Sequence, residues 1–471
     1  MTSPIDRQAL EKVPPLLAIV LGAGKGTRMK SSTPKVLHTV AGLSMIGHVL
    51  AAVKQAGAAR VAVVVGPDME AVAAEARRHV IDCEIAVQTQ QIGTGDAVKA
   101  ARASLATHKG RVIVVFADTP LFRPETLTAV CRTLDAGAHV AVVGFEAADP
   151  TNYGRLVRGP DNQLEAIREH KDATDAERAI KLCNAGVMGF GSERILEILD
   201  AIGNDNANQE FYLTDAVAVA RAKGLKAEVY VCAEDEVLGV NSRDQLAEAE
   251  AIWQTRRRIE VMRNGATLIA PETVWFAFDT RIGQDVTIEP NVFFGRAVIV
   301  ENNVHIKANT HIDGADAKSQ KGVRIRAGAE IGPFARLRPG TDIGTGVHIG
   351  NFVEVKNATL GAGAKANHLA YIGDGKVGAA ANIGAGTIFC NYDGFFKYIT
   401  EIGSGAFIGS NTSLVAPIKI GDGAFVASGS VITKDVPADS LAIERATQET
   451  RPGWAAKFRT LMQRRKTERK N

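Results

Sequence analysis

The second half of the chain repeats every six residues, and no other feature of the sequence restricts the fold so tightly. From Ile282 the sixth positions read Ile282, Ile288, Phe294, Val300, Ile306 and Ile312. The series resumes as Ile325, Ile331, Leu337, Ile343, Ile349 and Val355, and again as Ile402, Ile408, Leu414, Ile420, Val426 and Ile432. Glycine often follows the apolar residue, as in IGPFAR, IGTGVH, IGNFVE and IGDGAF. A period sustained this long marks a repeat architecture. Each hexapeptide supplies one short strand and one corner of a triangular prism. The aliphatic side chain points to the axis, and the small residue after it permits the tight turn. Coils then stack at about 4.8 Å, the parallel-strand spacing. The expectation is a left-handed parallel β-helix over 266–450. Its flat faces suit self-association, and a homotrimer about the prism axis is expected. Two segments interrupt the repeat, a polar one at 313–324 and an aromatic, charged one, CNYDGFFKY, at 390–398. Loops leaving a rigid scaffold are where chemistry is commonly placed.

At 471 residues the chain is too long for one core. Up to about residue 240, β-branched runs (LLAIVLG, RVAVVVG, RVIVVFAD) alternate with helical stretches such as MIGHVLAAVKQAG and GDAVKAARASLATHKG. Continuous apolar strands with helical crossovers predict an α/β, Rossmann-like, mostly parallel sheet covered on both faces, placed at 1–243. Ligands in such sheets collect at the carboxyl ends of the strands. Residues 244–265 have helical spacing, with Gly265 as the stop, and form the expected linker helix.

A net charge of +3 argues against a nucleic-acid binder, although the tail at 451–471 is strongly basic and expected to be frayed and solvated. Five scattered cysteines without a C-x-x-C pair fit a reducing compartment and no structural zinc. The N-terminus carries Asp6, Arg7, Glu11 and Lys12 before a short apolar run, which fits neither a signal peptide nor a membrane span. A cytoplasmic protein without membrane insertion is expected.

Directly after LLAIV stands LGAGKGTRMKSSTPK, residues 21–35. It matches neither the Walker loop nor the dinucleotide fingerprint, because Lys25 precedes the last glycine and Thr27 stands where a third glycine belongs. Its backbone N–H groups, free of bulky side chains, still suit phosphate. Arg28 and Lys35 add positive charge, and Pro34 would extend the chain so that Lys35 reaches back to the loop. Asp118 closes another strand, where it could equally cap the following helix. On the prism, His368 in KANHLAYIGD lies near Arg338, Lys356, Tyr371 and Asn382, expected to gather around one phosphate and sugar.

G-x-G-T-R-M followed by P-K resembles the sugar-1-phosphate nucleotidyltransferases. With RLRPG, GNFVEVK, NHLAYIGD, NIGAGT and CNYDG added, residues 15–450 resemble the bacterial bifunctional family that joins an N-acetylglucosamine-1-phosphate uridyltransferase to a glucosamine-1-phosphate acetyltransferase. The resemblance implies that Leu21, Gly22, Ala23 and Gly24 line UTP, with Lys35 on its phosphates and Gln88, Gly93 and Thr94 reading uracil. It implies that Asp118 and Asn241 hold magnesium, and that Gly154, Glu169 and Asn184 bind the sugar. His368 would be the base that deprotonates the glucosamine amine as it attacks acetyl-CoA, with Asn391 orienting the ring or the amine. Arg338 and Lys356 would hold the sugar phosphate, with Tyr371, Asn382 and Tyr392 on the sugar and loop. Ala385, Asn391, Tyr392, Ser410, Ser428 and Arg445 correspond to acetyl-CoA contacts; Glu354 and Lys397 are further candidates. Neighbouring subunits would meet at the CoA site. Three residues depart from the family pattern: Gly22 for alanine, Ala117 for glycine, and Ser428 for alanine.

Two other readings compete. The prism could be a structural or regulatory module on a single-activity nucleotidyltransferase. It could also be a zinc-dependent hydratase using His305, His311 and His348, although no third ligand is placed beside the first two.

Overall fold

Strand β1 (Leu16–Leu21) is buried along its whole length, and its alternate residues enter two different cores. Leu16, Ala18 and Val20 pack into one apolar cluster, and Leu17, Ile19 and Leu21 into the other. A strand apolar on both faces can sit only in the middle of a covered sheet. The computed structural model describes residues 14–160, 162–316 and 319–468, so Asp6, Arg7, Glu11 and Lys12 lie outside the described residues.

Six more strands lie side by side with it in this nine-stranded sheet: β2 (Ala58–Val65), β3 (Glu84–Val87), β4 (Arg111–Phe116), β5 (Val140–Glu146), β6 (Leu182–Gly191) and β7 (Ala227–Val231), with Arg155–Arg158 and Leu164–Arg168 attached as a hairpin to β6. Their order is β7-β5-β6-β4-β1-β2-β3. Strands β3, β2, β1 and β4 run parallel. The sheet is mostly parallel, as expected, with β7 also parallel to β5; β6 runs antiparallel to both β4 and β5. Helix α1 (Met45–Gln55) starts where the Ser44 side chain accepts a hydrogen bond from the Gly47 N–H. Helix α2 (Pro124–Asp135) starts with proline in its first turn, after Arg123. Asp118 is therefore not a helix cap.

The chain divides into two compact units between Ile259 and Glu260, within helix α3 (Arg243–Arg263). Gly265 follows at φ 100°, where the chain turns out of the helix.

From Thr267 the strands pair in parallel with the strand three positions later, until the final step, where Phe425–Val426 pairs with Leu441–Ala442 two positions later; this builds sheets of ten, nine and eight strands. This is the triangular prism that the six-residue period predicts. Ile288 stacks on Ile306, Ile331 on Ile349, and Ile408 on Val426, one coil apart. All eighteen sixth-position residues except the partly buried Ile282 are buried. The 390–398 loop projects, with Phe395 86% and Phe396 67% exposed. The basic tail is not frayed over its described part. Trp454–Glu468 forms helix α4, because Ala455, Ala456, Leu461, Met462 and the lysines and arginines are good helix formers. No residue of α4 is buried, and Trp454 stacks on Phe458. No helix among the described residues is long and apolar enough to cross a membrane.

Candidate active sites

The opening loop leaves β1 between its two parallel neighbours. The Gly22 N–H donates to the Val64 carbonyl (2.8 Å), and the Ala117 N–H donates to the Leu21 carbonyl (2.9 Å). A cavity of about 560 Å³ opens there, lined by Leu21, Gly22, Ala23, Gly24, Lys35, Gln88, Gly93, Thr94 and Asp118 among others. These nine expected residues come from five separate stretches of sequence. Lys35 does reach back to the loop, since a Cβ placed on Gly26 would lie 2.5 Å from the Lys35 Cβ. Gly26 also has φ +61°, so glycine is needed there on two counts. Arg28 does not line the cavity.

Lys35 Nζ forms a close ion pair with Asp118 and donates to Asn241 Oδ1 at 2.9 Å. Two anchors aim the Asn241 oxygen. Its Nδ2 donates to the Gly239 carbonyl (3.2 Å), and the Val240 N–H donates to the Asp118 carbonyl (2.9 Å). One carboxylate and one amide oxygen thus converge on a single cationic atom. Hard oxygen donors that leave most of the coordination sphere to substrate and water fit magnesium, so the pair passes the chemical test for that ion.

The expected sugar residues form a second cluster. A Cβ on Gly154 would lie 3.5 Å from Glu169 Oε1 and 3.6 Å from the Asn184 Cβ. Burial pushes the Glu169 carboxyl above the usual range, opposed by the hydrogen bond it accepts from Thr214 (3.0 Å). The adjacent Leu213 N–H donates to Thr94 Oγ1 (2.9 Å), which ties this cluster to the cavity. Gln88 is 5% exposed, and its amide donates to the Gly93 carbonyl (3.0 Å) and to Asp96 (2.8 Å).

Sequence reasoning missed Lys25, Gln90, Gln91, Phe116 and Glu210 in the lining. Gln91 donates to the Ala23 carbonyl (2.7 Å), clamping the glycine loop to the QTQQIGTG loop. Its signal was the doubled glutamine three residues past Gln88. Two departures from the family pattern prove to be neighbours. A Cβ on Gly22 would stand 3.6 Å from the Ala117 Cβ, so the methyl group missing from one residue is present on the other.

On the prism, His368 ends the strand Lys365–His368 and is exposed at a corner. Its Nδ1 is 2.8 Å from Asn351 Oδ1, the residue in register one coil below. Within this chain Asn391, expected to orient the ring or the amine, does not pair with His368. Asn391 is 6% exposed, and its amide donates to the buried Asp374 (2.5 Å), which also accepts from Asn357 (2.7 Å). Asn351 was missed; its signal was the asparagine of GNFVEVK, seventeen residues before the histidine.

Above His368 the corner continues upward. The Gly386 N–H donates to the His368 carbonyl, the Asn411 N–H to the Ala385 carbonyl, and the Gly429 N–H to the Ser410 carbonyl. The Ser410 N–H donates to Ser428 Oγ (3.1 Å), and Arg445 Nη1 donates to the Ser428 carbonyl (3.0 Å). Ala385, Ser410, Ser428 and Arg445 therefore form one ladder on the edge that carries His368. Ser428 itself supplies a rung that an alanine could not.

Asn391 and Tyr392 do not join that ladder. They lie past the next face, at the corner that holds Lys356, Arg338 and Asp374. Arg338 pairs with Glu354 (2.7 Å), which holds its pKa up. The Lys397 ammonium, in the projecting loop, is the largest cause lowering the Lys356 pKa, with burial second. Tyr371 lies between the two corners, and a Cβ on Gly373 would sit 2.4 Å from its hydroxyl. Asn382 is not gathered with this group. It pairs with Lys365 and Phe407, whereas Tyr371 pairs with Glu354 and Ile388. Eleven residues is nearly two hexapeptides, which turns the chain through two corners onto another face. His305 bonds Glu289 (2.8 Å), His311 bonds Asp313 (2.9 Å), and no cluster of three metal-ligating side chains occurs among the described residues.

Comparison with known proteins agrees with both units. Residues 18–185 match the MobA-like NTP transferase domain, and residues 322–357 and 399–434 match the bacterial transferase hexapeptide family of six repeats. The chain is 57% identical over 444 residues to a protein of Azorhizobium caulinodans named "Bifunctional protein GlmU", covering 94% of this chain and 97% of that one. Relatives of the same name are 57% identical in Xanthobacter autotrophicus over the same shares, and 52% identical in Agrobacterium fabrum over 94% and 96%.

Proposed function

The chain belongs to the GlmU family of bifunctional proteins, a uridyltransferase joined to an acetyltransferase, and from that premise we propose how its residues divide the work. The prism half moves an acetyl group from acetyl-CoA to glucosamine-1-phosphate. The α/β half moves UMP from UTP to the resulting N-acetylglucosamine-1-phosphate and releases pyrophosphate, leaving UDP-N-acetylglucosamine.

For uridylyl transfer, the sugar phosphate oxygen attacks the α-phosphorus in line. Protein groups need only orient two anions and offset their repulsion. The backbone of Leu21–Gly24 cradles the triphosphate, and the loop holding Gln88, Gly93 and Thr94 takes the base. Gly154, Glu169 and Asn184 orient the sugar. Asp118 and Asn241 are the ligands for magnesium, which supplies charge neutralisation when bound. Lys35 then turns from these two oxygens to the phosphates, where its charge is needed.

For acetyl transfer, Arg338, Lys356 and Lys397 hold the sugar phosphate, with Tyr371 beside them. His368 accepts the proton of the attacking amine. The ladder Ala385–Ser410–Ser428–Arg445 takes CoA along the same edge. Asn391 and Tyr392 stand at the opposite corner, away from that edge and from Asn382 on the face that leads to it, which supports a site completed by other copies in a homotrimer. Five free thiols support a reducing cytoplasm.

The observation that carries this reading is the placement of His368 at the foot of the ladder, with the cationic corner across one face of the prism. His368→Ala should abolish acetylation and spare uridylylation, and Asp118→Ala should do the reverse. Loss of both activities in either variant would contradict two independent sites. A purely structural prism predicts no effect of His368→Ala on any acetylation.

A further inference from the structure

We infer that Asn351 is a positioning residue for acetyl transfer, one that sets the tautomer of His368 and leaves Nε2 as the proton acceptor. This rests on the proposal that His368 is the base. Asn351 Oδ1 faces His368 Nδ1 at 2.8 Å. A carboxamide oxygen only accepts hydrogen bonds, so Nδ1 must carry the ring proton. A neutral imidazole has one N–H, and the lone pair therefore resides on Nε2. The backbone keeps the two residues in place. Asn351 and His368 are register partners, the Leu369 N–H donates to the Asn351 carbonyl (3.0 Å), and the Gly386 N–H bonds the His368 carbonyl from above.

The reaction then balances around one nitrogen. The amine nitrogen forms a bond to the thioester carbonyl carbon and passes a proton to Nε2. The C–S bond breaks, and the departing thiolate takes that proton back. Throughout, Nδ1–H stays bonded to Asn351. A carboxylate at this position would hold the same tautomer but would add a negative charge that favours the imidazolium. The neutral amide orients the ring and leaves its charge to the reaction. The ionisable groups on the adjoining strands are Lys365 beside the histidine, His348 on the strand below, and Tyr371, Glu354 and Lys356 on the neighbouring face. The strand above, Asn382–Ile383, contributes none.

The test uses the full-length protein with both activities assayed on each preparation. Asn351→Leu matches the size without the acceptor. Acetylation kcat should fall about 100-fold, the scale of a misplaced general base, with KM for both substrates changing far less. Asn351→Asp restores the acceptor. It should recover most of kcat and move the acid limb of the kcat/KM profile to higher pH. Wild-type kcat in Asn351→Leu would overturn the inference, as would an Asn351→Asp as slow as Asn351→Leu with an unmoved acid limb. Should Asn351→Leu also lose uridylylation through misfolding, the Asn351→Asp profile decides alone. An active His368→Ala would remove the base itself, whereas an inactive His368→Ala beside silent Asn351 variants would remove only this inference.

Discussion

The two sites are assembled by opposite means. In the α/β unit, residues as far apart as Lys35 and Asn241 meet because parallel strands deliver their carboxyl ends to one rim, and nine of the expected residues line one cavity. On the prism, neighbours in space are residues one coil apart, as with Asn351 and His368 or Ser410 and Ser428. A repeat places groups in rows along edges and cannot by itself fold a row into a pocket. In the first, the expected lining comes from one chain; in the second, the expected residues stand on separate edges, and the proposed function assigns the rest of the site to further copies. Cooperative sheets make enclosed sites, and solenoids make surfaces that association must close.

The sharpest way to break this contrast is dilution. Acetylation per chain should fall by an order of magnitude or more as copies separate, while uridylylation per chain stays constant; size measurement at each concentration checks it. Equal behaviour of both activities would mean that the prism site is complete alone. A smaller effect follows from Asp374→Leu, which strips the anchor from the projecting loop and leaves the buried amide of Asn391 unpaired. The unpaired amide should cost about 1–3 kcal/mol in the prism's unfolding transition, with acetylation reduced and uridylylation intact.

The third prediction concerns pH. Lys397 holds the Lys356 pKa below the ordinary lysine value, so the folded state gives up this proton earlier than the unfolded chain. Phosphate binding should therefore weaken as pH rises through the window just below the ordinary lysine range. Lys397→Met removes the neighbouring charge and should move that loss to higher pH, seen in the KM for glucosamine-1-phosphate. An unmoved alkaline limb would mean that Lys356 does not touch the phosphate. The charged pair also lowers stability while both lysines are protonated, and stability should rise with pH across the same window.

The smallest effect sharpens the α/β side. Gly22→Ala places a methyl 3.3 Å from the Val64 carbonyl and 3.6 Å from Ala117, and Ala117→Gly opens space at the same point. The double variant should be closer to the parent than the sum of the singles by about 0.5–1 kcal/mol in thermal unfolding. Strict additivity would mean that the two methyl positions do not share space.

Much of this was legible in the chain. The six-residue period named the prism, and the glycine loop with Lys35 and Asp118 named the rim of the first cavity. The direction of β6 was hidden because burial on both faces looks the same in parallel and antiparallel strands. The basic tail was misread because its charge outweighed a composition of strong helix formers. Asn351 was overlooked for a similar reason, since an asparagine in a repeat most often reads as a corner residue.

The sequence by itself determined the periods, and hence which side chains turn inward. Inward burial depends on spacing along the chain, and spacing is written in the sequence. Only the tertiary structure decided which outward-facing groups share an edge. That choice depends on the accumulated rotation of the coils and on insertions such as 313–324 and 390–398 that interrupt the count. A shift of a few residues there moves a side chain around a corner without disturbing the apolar pattern. Tyr371 and Asn382, eleven residues and two corners apart, end on different faces in the same way, Tyr371 above Glu354 and Asn382 above Lys365.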